Sequence, residues 1–351
     1  MPNILEESIE IRKIWGGFRQ ARALLTANNY RIFDYLERLQ SANTISKKLK
    51  TDLRATTILL DALTGLGFLK KHNNRYQNTN LASKFLVSDS PHYQGNIMRH
   101  ADNLWQNWSG LDEVLKTGRP YRKAHDHEAF ILGMHDLASL KVDKVLKAIG
   151  LKGLRTALDL GGGPGTYSIG MAKLGLQVTL FDRPETVAIA RKLIGKIPLN
   201  PPLPKGESSP LSRGVRGVFP SLKKGGEGGF KNNINFIQGD FINDNIGNGY
   251  ELIFASQILH SVSEKEIIRL LRKCKGALNT KGRIVIQEFR ISKDMTQPPQ
   301  GALFSVNMLV NTDGGRCYSP DEMKGWLSKL GMKNISVKAI DDSVLISAVK
   351  L

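Results

Sequence analysis

The sequence TALDLGGGPGT at residues 156–166 is the part of this 351-residue chain that most strongly indicates its fold class. Residues 156–160 predict a buried strand, and the apolar spacing of residues 167–174 predicts a helix packed on it. The glycine-rich turn between them lets the backbone bend sharply and lie against a ligand at little steric cost. A strand, such a turn and a helix in this order predict a ligand-binding unit of an α/β sheet.

The glycine spacing and the acid that follows it indicate the kind of ligand. The pattern G-x-G-x-G at residues 161–165 departs from the dinucleotide fingerprint, which needs a small residue in place of Thr166. This departure favours S-adenosylmethionine over NAD. A second predicted strand, residues 177–181, leads to Asp182, where a ribose diol would be held by two charge-assisted hydrogen bonds. The alternative interpretation is a glycine-rich loop with an unrelated surface aspartate.

The rest of the carboxyl-terminal half continues the alternation of strands and helices. Predicted strands lie at residues 234–238, 252–256, 283–288, 335–340 and 344–349, and predicted helices at residues 184–194, 263–278 and 320–330. This order predicts a doubly wound parallel sheet that ends in an antiparallel edge hairpin.

Residues 198 to about 231 interrupt this alternation. They contain PPLPKG at residues 201–206 and KKGGEGG at residues 223–229, a composition that buries too little apolar surface to order itself. We predict a disordered insertion. Because it follows a helix and precedes a strand, we expect it at the sheet edge opposite to bound ligands.

Residues 1–100 predict a winged helix. Helices are expected over 17–36, 44–49 and 52–66, followed by a hairpin over 68–77. One alternative function is a transcriptional regulator. In such a protein the helix over 52–66 would bind DNA and contact the bases. It offers only Arg54 and is otherwise small or apolar, whereas a helix that reads bases needs several polar side chains.

We therefore expect this region to form a homodimer through an exposed apolar face. The residues expected on that face are Leu24, Leu25, Ile32, Phe33, Leu36, Ile58 and Leu59.

Composition limits the remaining possibilities. The chain is long enough for a winged-helix domain over 1–100, connecting helices over 101–150 and a catalytic domain over 151–351. The net charge of +18 is spread over the whole chain, so we expect no nucleic-acid partner. No apolar run is long enough for a membrane span, no signal pattern opens the sequence, and there are only two cysteines. These features predict a cytoplasmic protein.

A histidine and a glutamate follow neighbouring predicted strands. His260 comes shortly after the strand over 252–256, and Glu288 ends the next strand, 28 residues later. A neutral imidazole can accept a proton from a hydroxyl, and a carboxylate on its other nitrogen fixes the tautomer and stabilises the imidazolium. The pair is a candidate base dyad; a structural histidine and an unrelated acid is the alternative. No cluster has metal-ligand spacing, so we expect no metal.

Several motifs together resemble one family. They are DLGGGPG at 159–165, FDRP at 181–184, GDF at 239–241, ILH at 258–260 and LFSVNMLV at 303–310. The chain resembles small-molecule O-methyltransferases of the acetylserotonin and caffeate type, over nearly its whole length except the insertion. The resemblance implies a Rossmann-like, doubly wound, seven-stranded sheet with an N-terminal winged-helix dimerisation domain. It implies S-adenosylmethionine as cofactor and S-adenosylhomocysteine as product.

The resemblance also assigns roles to individual residues. His260 falls on the general base of the family and Glu288 on the glutamate that orients it. The implied cofactor contacts are Asp159, Gly161, Gly163, Asp182, Arg183, Asp240, Phe241, Ser256 and Gln257. The implied substrate contacts are Trp105, Phe130, Met134, Asn307, Met308 and Asn311, although the aromatic and methionine residues before 150 fit a protein core equally well.

The sequence departs from the family at two places near the base. Ser261 and Val262 follow His260 where many members have Asp-Trp, and a second glutamate of the plant enzymes falls on Arg316 or Cys317. These departures indicate an acceptor other than the plant phenols. The function we expect is methyl transfer to a hydroxyl, phenolic in character, of an aromatic or polycyclic small molecule. Besides the regulator, a relative that uses the cofactor without methyl transfer is the remaining alternative.

Overall fold

The computed structural model describes residues 3–196 and 229–351, which divide into two compact units. One unit comprises Met1–Trp105 and Asp126–Leu137, and the other comprises Gln106–His125 and Ala138–Leu351. The predicted connecting segment 101–150 is thus shared between the units, and the predicted domain limits at residues 100 and 150 stay predictions. In the described part of the chain, no helix has both the length and the apolarity needed to cross a lipid bilayer.

The N-terminal unit is a winged helix with additional helices. Its helices are α1 (Ile4–Gly16), α2 (Phe18–Asn29), α3 (Ala42–Leu49), α4 (Leu53–Gly65), α5 (Asn80–Phe85), α6 (Gly95–Trp108) and α8 (His127–Ser139), with a 3₁₀ turn at Ile32–Tyr35. The last three residues of α6, including Trp108, and the last two of α8 belong to the second unit. Its strands are β1 (Gln40–Ser41), β2 (Leu69–His72) and β3 (Arg75–Asn78), in the order β1-β3-β2.

Local chemistry explains where these elements begin and turn. The Asp52 carboxylate accepts a hydrogen bond from the backbone N–H of Ala55 at 2.7 Å and so caps α4. Asn73 and Asn74 have φ values of +47° and +56°, which close the wing as a tight two-residue hairpin. The predicted helix pair and wing are therefore present.

The prediction of an exposed apolar face for dimer contact is wrong for most of the residues assigned to it. Leu25, Ile32, Phe33 and Leu36 are at most 7% exposed. The last three of these belong to the core of the unit, together with Leu60 and Leu63 of α4. Of the predicted set, only Ile58 is more than half exposed, at 54%. Helix α1 was not predicted from the sequence, and several of its large apolar side chains are exposed: Ile4, Leu5, Ile11, Ile14 and Trp15.

The second unit contains a seven-stranded sheet in the order β6-β5-β4-β7-β8-β10-β9. Its strands are β4 (Thr156–Leu160), β5 (Gln177–Asp182), β6 (Ile234–Gln238), β7 (Tyr250–Ser256), β8 (Leu278–Phe289), β9 (Lys333–Ile340) and β10 (Ser343–Val349). Its helices are α7 (Leu111–Thr117), α9 (Val142–Ile149), α10 (Thr166–Lys173), α11 (Pro184–Lys196), α12 (Glu264–Ala277), α13 (Pro299–Asn311) and α14 (Pro320–Lys329). β4 to β8 pair in parallel, and β10 is antiparallel to both of its neighbours.

Burial on both faces explains the apolar strands. Leu158 and Ile253 belong to the core on one face of the sheet, while Ala157 and Phe254 belong to the core on the other. A parallel sheet covered on both faces requires such continuous apolar strands rather than alternating ones. The predicted fold class, a doubly wound sheet with an antiparallel edge hairpin and an N-terminal winged helix, is confirmed.

The predicted insertion over 198–231 lies mainly outside the described residues. Its predicted carboxyl-terminal limit is wrong by about three residues, since Gly229–Asn233 form a 3₁₀ turn. Phe230 packs against the core next to β6, and the Lys231 Nζ donates a hydrogen bond to the carbonyl of Gly195 at 3.0 Å.

Candidate active site

The glycine turn after β4 is shaped by close backbone packing. Gly161 has a φ of +64°, and a Cβ there would lie 2.6 Å from the Cγ2 of Ile258. Gly163 has a φ of +53°, but a Cβ there would meet no atom within 4 Å. The turn therefore leans on the loop after β7 at Gly161 and presents open space at Gly163. Such a cradle fits the adenosyl part of S-adenosylmethionine, which needs close approach to a backbone.

Asp182 joins the end of β5 to this turn. Its carboxylate accepts hydrogen bonds from the backbone N–H of Gly163 at 2.8 Å and of Arg183 at 2.7 Å, one on each oxygen. Burial raises the pKa of Asp182 and the two backbone hydrogen bonds oppose that rise. The side chain of Thr186 also hydrogen-bonds this carboxylate. Two carboxylate oxygens offer about four acceptor positions, so a position remains for a ribose hydroxyl. Arg183 contributes its backbone N–H, while the residue itself is exposed.

Asp159 supports the turn from inside the protein. It is only 1% exposed, and it accepts a hydrogen bond from the Ser168 hydroxyl at 2.6 Å. Burial raises the pKa of Asp159 to about 6, and the nearby charge of Asp182 adds to this rise. Ser168, which was not predicted as a site residue, is the third residue of α10 and lies in its first turn.

The raised pKa of Asp159 predicts a pH-dependent stability. An unfolded aspartate has a pKa of about 3.9, so between about pH 4 and 6 the folded chain binds more protons and its free energy of unfolding falls as pH rises. In Asp159→Asn this loss is absent. The free energy of unfolding of the variant minus that of the wild type is expected to rise by roughly 2–3 kcal/mol from pH 4 to pH 7.

Urea denaturation at several pH values measures this difference. Asp321→Asn is the control, because the exposed Asp321 pairs with Lys324 at 2.8 Å, which lowers the pKa of the carboxyl. The free energy of unfolding of Asp321→Asn minus that of the wild type is expected to fall slightly from pH 4 to pH 7. A difference for Asp159→Asn that does not change with pH would contradict the prediction.

The remaining predicted cofactor residues lie on the loops after β6 and β7. Asp240 is exposed and caps its own turn, accepting from the backbone N–H of Ile242 at 2.8 Å, while Phe241 packs half-buried against the core. Ser256 donates from its hydroxyl to Gln287 Oε1 at 3.2 Å. Gln257 has a φ of +55°, a strained value for a residue other than glycine, and such strain is typical of functional loops.

His260 and Glu288 are brought together at the same sheet edge. The Nδ1 of His260 lies 2.8 Å from Glu288 Oε2, and the His260 residue is 8% exposed. The other carboxylate oxygen accepts from the backbone N–H groups of Leu259 at 2.8 Å and His260 at 3.3 Å. These bonds fix both the carboxylate and the imidazole, so that Nε2 is the ring nitrogen left for a ligand.

Two aromatic rings that the sequence analysis did not assign hold the imidazole. The ring of Phe304 meets that of His260 edge-on, with centroids 4.9 Å apart, and the Phe289 ring is 5.7 Å away. The rings of Phe289 and Phe304 also contact each other, with their centroids 3.9 Å apart. The position of Phe289, directly after Glu288, was a usable signal; that of Phe304, which is 44 residues from His260, was not.

The α13 helix carries the predicted substrate residues Asn307, Met308 and Asn311. Asn307 is half-buried and accepts a hydrogen bond from the indole Nε1 of Trp108 at 2.8 Å. The Oδ1 of Asn311 accepts a hydrogen bond from the Asn107 Nδ2 at 2.9 Å, and the Nδ2 of Asn311 donates to the backbone carbonyl of Asn307 at 2.8 Å. Met308 is buried, at 7% exposure. Their substrate contacts stay predictions, but Asn311 is engaged mainly with other side chains of the protein.

The other predicted substrate residues belong to the N-terminal unit. Trp105 lies between the ring of Phe18, at 6.4 Å, and the guanidinium of Arg22, at 5.5 Å. Phe130 contacts the ring of His100 at 5.0 Å. Met134 is half-buried on α8. Both the core interpretation and the substrate-wall interpretation of these three residues stay open.

The two candidates for the second family glutamate have different environments. Arg316 turns to Glu322, with an Nη2 to Oε1 distance of 2.6 Å, and its guanidinium lies 4.2 Å from the Tyr318 ring. Cys317 is buried, which raises the pKa of its thiol to about 11, and the charge of Glu288 adds to this rise. Of the two candidates, Cys317 is the one whose pKa the charge of Glu288 affects, and its thiol is neutral at pH 7.

Two family models match this chain. A family model described as the O-methyltransferase dimerisation domain matches residues 13–88. A second model, the O-methyltransferase domain, matches residues 95–202 and 222–333. The two models together cover most of the chain and include the glycine turn, Asp182, His260 and Glu288.

Individual relatives belong to the same group. The chain is 27% identical to 3-hydroxy-5-methyl-1-naphthoate 3-O-methyltransferase of Streptomyces sahachiroi, over 83% of this chain and 79% of the relative. It is 27% identical to mouse acetylserotonin O-methyltransferase, over 92% and 83% of the two chains. The solved structure of human N-acetylserotonin methyltransferase with S-adenosylmethionine has the same fold, with a TM-score of 0.81, 22% identity and coverage of 100% and 99%. The chain belongs to the S-adenosylmethionine-dependent O-methyltransferases that carry an N-terminal dimerisation domain.

Proposed function

We propose that this enzyme methylates a phenolic hydroxyl of a small aromatic or polycyclic molecule and that His260 is its general base. The observation that carries the proposal is the 2.8 Å pairing of His260 Nδ1 with Glu288 Oε2 beside the glycine turn. Ile258, which packs under Gly161, is only two residues before His260. The proposed base and the proposed cofactor cradle are therefore neighbours. The naphthoate and acetylserotonin in the names of the relatives are both fused bicyclic aromatics, which supports an acceptor of this class.

The dyad supplies a place for the proton of the acceptor. A phenol with a pKa of about 10 is mostly protonated at neutral pH. Removal of the phenolic proton by a positioned base is therefore expected to contribute roughly 10²–10⁴-fold to the rate. With Nδ1–H donating to Glu288, the lone pair of Nε2 takes the proton from the hydroxyl. The Glu288 carboxylate then stabilises the imidazolium. The Phe289 and Phe304 rings restrict the imidazole and limit water around it.

The glycine turn and Asp182 would hold the cofactor. When bound, S-adenosylmethionine supplies an electrophilic methyl group on a sulfonium sulfur. We assign Asp182 to the ribose hydroxyls, Gly161 and Gly163 to the close backbone contact, and the loops after β6 and β7 to the remaining nucleoside contacts. Holding donor and acceptor in line within a closed site is expected to contribute further to the rate.

A labelling experiment tests this function. The enzyme is incubated with S-adenosylmethionine carrying a ¹³C-methyl group and with 3-hydroxy-1-naphthoate, N-acetylserotonin or an extract of its own source. NMR of the product then distinguishes a new methoxy group from an N-methyl or C-methyl group. The O-methyl ethers of the two probes are the matched controls and are expected to remain unlabelled. Labelling on nitrogen or carbon, or of the blocked ethers, would contradict the proposal.

We propose further that the enzyme is a cytoplasmic homodimer that acts without nucleic acid. The two cysteines, Cys274 and Cys317, are free and buried, which suits a reducing compartment. The dimerisation-domain match supports assembly through the N-terminal unit. The exposed apolar side chains there include Ile14 at 83% and Ile58 at 54%, and burying such surface between two copies would give a stable interface of roughly 2,000 Å² or more.

Charged substitutions on this surface are expected to separate the dimer. Ile14→Asp and Ile58→Asp each place a carboxylate where two apolar surfaces would meet, and desolvating an unpaired charge is costly. Light scattering at micromolar concentration is expected to give the mass of two chains for the wild type and of one chain for a variant. Leu115→Asp, on the 80% exposed Leu115 of α7, is the control and is expected to stay dimeric. A monomeric wild type would contradict the proposal.

A further inference from the structure

A chain of side-chain hydrogen bonds fixes the direction in which the amide of Asn307 points. The backbone N–H groups of Lys123 and Ala124 both donate to Asn107 Oδ1, at 2.9 Å each. A backbone N–H can only donate, so Nδ2 is the remaining group of the Asn107 amide, and it donates to Asn311 Oδ1 at 2.9 Å. The Nδ2 of Asn311 then donates to Asn307 Oδ1 at 3.1 Å.

Trp108 imposes the same orientation from the other side. An indole Nε1 is a donor only, and that of Trp108 lies 2.8 Å from Asn307 Oδ1. The oxygen of the Asn307 amide is thus occupied by two donors from independent parts of the chain. Rotating the amide by half a turn would set its NH₂ group against both of them. Within residues 3–196 and 229–351, the Nδ2 of Asn307 donates to no protein group.

The free N–H groups of Asn307 lie on the side of α13 that carries Phe304. These two residues are three positions apart and so share a helix face, separated along the axis by about 4.5 Å. Phe304 contacts the ring of His260. This face of α13 therefore presents a hydrogen-bond donor of fixed direction about one helical turn from the ring that contacts His260.

We propose that the enzyme selects acceptors that carry a carbonyl oxygen in addition to the hydroxyl, and that Trp108 is the positioning residue for this selection. The inference rests on the proposed function. The carbonyl oxygen of a ketone, amide, ester or carboxylate accepts from Asn307 Nδ2. An acceptor with a methylene group at that place leaves the donor desolvated and unpaired, which weakens its binding.

Matched pairs of phenols test the selection. The first pair is 7-hydroxy-1-tetralone and 5,6,7,8-tetrahydro-2-naphthol, and the second is 3-hydroxyacetophenone and 3-ethylphenol. The members of each pair differ only by a carbonyl in place of a methylene, at positions where the carbonyl is not conjugated to the phenolic oxygen. For the wild type we expect kcat/KM to favour the ketone by about five- to tenfold, as a neutral hydrogen bond predicts.

The same ratio in variants tests Trp108. Trp108→Phe keeps a ring but removes the indole N–H, the shorter of the two hydrogen bonds to the Asn307 oxygen. Only the 3.1 Å bond from Asn311 then holds the orientation of the amide, and the preference is expected to fall to about twofold or less. Asn307→Leu is expected to abolish it. The ratio within one preparation does not depend on how much of the enzyme is folded. Trp326→Phe is the matched control, because the indole of Trp326 donates to Glu264 Oε1 at 2.9 Å on α12, and this variant is expected to keep the wild-type preference.

The outcomes separate this inference from the function on which it rests. Equal kcat/KM values for both members of each pair in the wild type would overturn the inference and leave the phenol methyltransferase intact. A full preference in Trp108→Phe would overturn the role of Trp108. No transfer to any of the four phenols by enzyme that binds S-adenosylmethionine would overturn the proposed function together with the inference.

Discussion

Replacing His260 with alanine is expected to lower the turnover number by about 10²-fold or more, because the acceptor hydroxyl then loses its proton to water instead of a positioned base. The affinity for S-adenosylmethionine is expected to stay unchanged, since the hydrogen bonds at Asp182 do not involve His260. Steady-state kinetics measures the first quantity and titration calorimetry the second. A matched substitution, His72→Ala on the exposed end of β2, is expected to change neither.

Two further measurements separate loss of the base from loss of packing. Glu288→Gln keeps the shape of the side chain but removes the charge that stabilises the imidazolium, and it is expected to lower turnover less than His260→Ala. A nitrophenol that is already ionised at the assay pH is expected to lose much less rate in His260→Ala than an ordinary phenol. If both variants turn over ordinary phenols normally, His260 is not the base and alignment alone accounts for the rate.

Replacing Asp182 with alanine is expected to weaken the binding of S-adenosylmethionine by about 1.5–3 kcal/mol, or roughly 10- to 150-fold in Kd. The carboxylate is the proposed partner of a ribose hydroxyl, and a hydrogen bond to a charged acceptor is stronger than a neutral one. Its removal also frees the backbone N–H of Gly163, which donates to it at 2.8 Å. The turn and the ribose site are thus weakened by the same substitution.

Calorimetry with the product S-adenosylhomocysteine as well as the cofactor extends this test, because both carry the ribose. Glu185→Ala removes an exposed acid three residues away, at the start of α11, and is expected to bind both ligands as the wild type does. A circular dichroism melting curve checks that Asp182→Ala remains folded. Wild-type affinity in a folded Asp182→Ala protein would remove Asp182 from the cofactor site.

Most of the fold could be predicted because its signals are local. The strand, glycine turn and helix at residues 156–174 and the apolar strands after them each express a preference of neighbouring residues. Parallel pairing then places the ends of β4, β5, β7 and β8 at one edge. For this reason the proximity of His260 and Glu288, 28 residues apart, followed from the topology alone.

Features that depend on contacts between distant segments were not predictable. Phe304 against His260, and Trp108 against Asn307, join residues 44 and 199 positions apart that no periodicity links. The surroundings of Arg316 and Cys317 were equally unpredictable, because the pairing of Arg316 with Glu322 and the burial of Cys317 depend on how the chain packs around them. The same holds for the apolar residues of α2. Their spacing indicated that they contact an apolar surface. Only the packing of the whole unit, with α4 in the same core, showed that this surface belongs to their own chain and not to a second copy. A pattern of residue types reports that a side chain is buried, while the identity of its neighbour is set by how the whole chain packs.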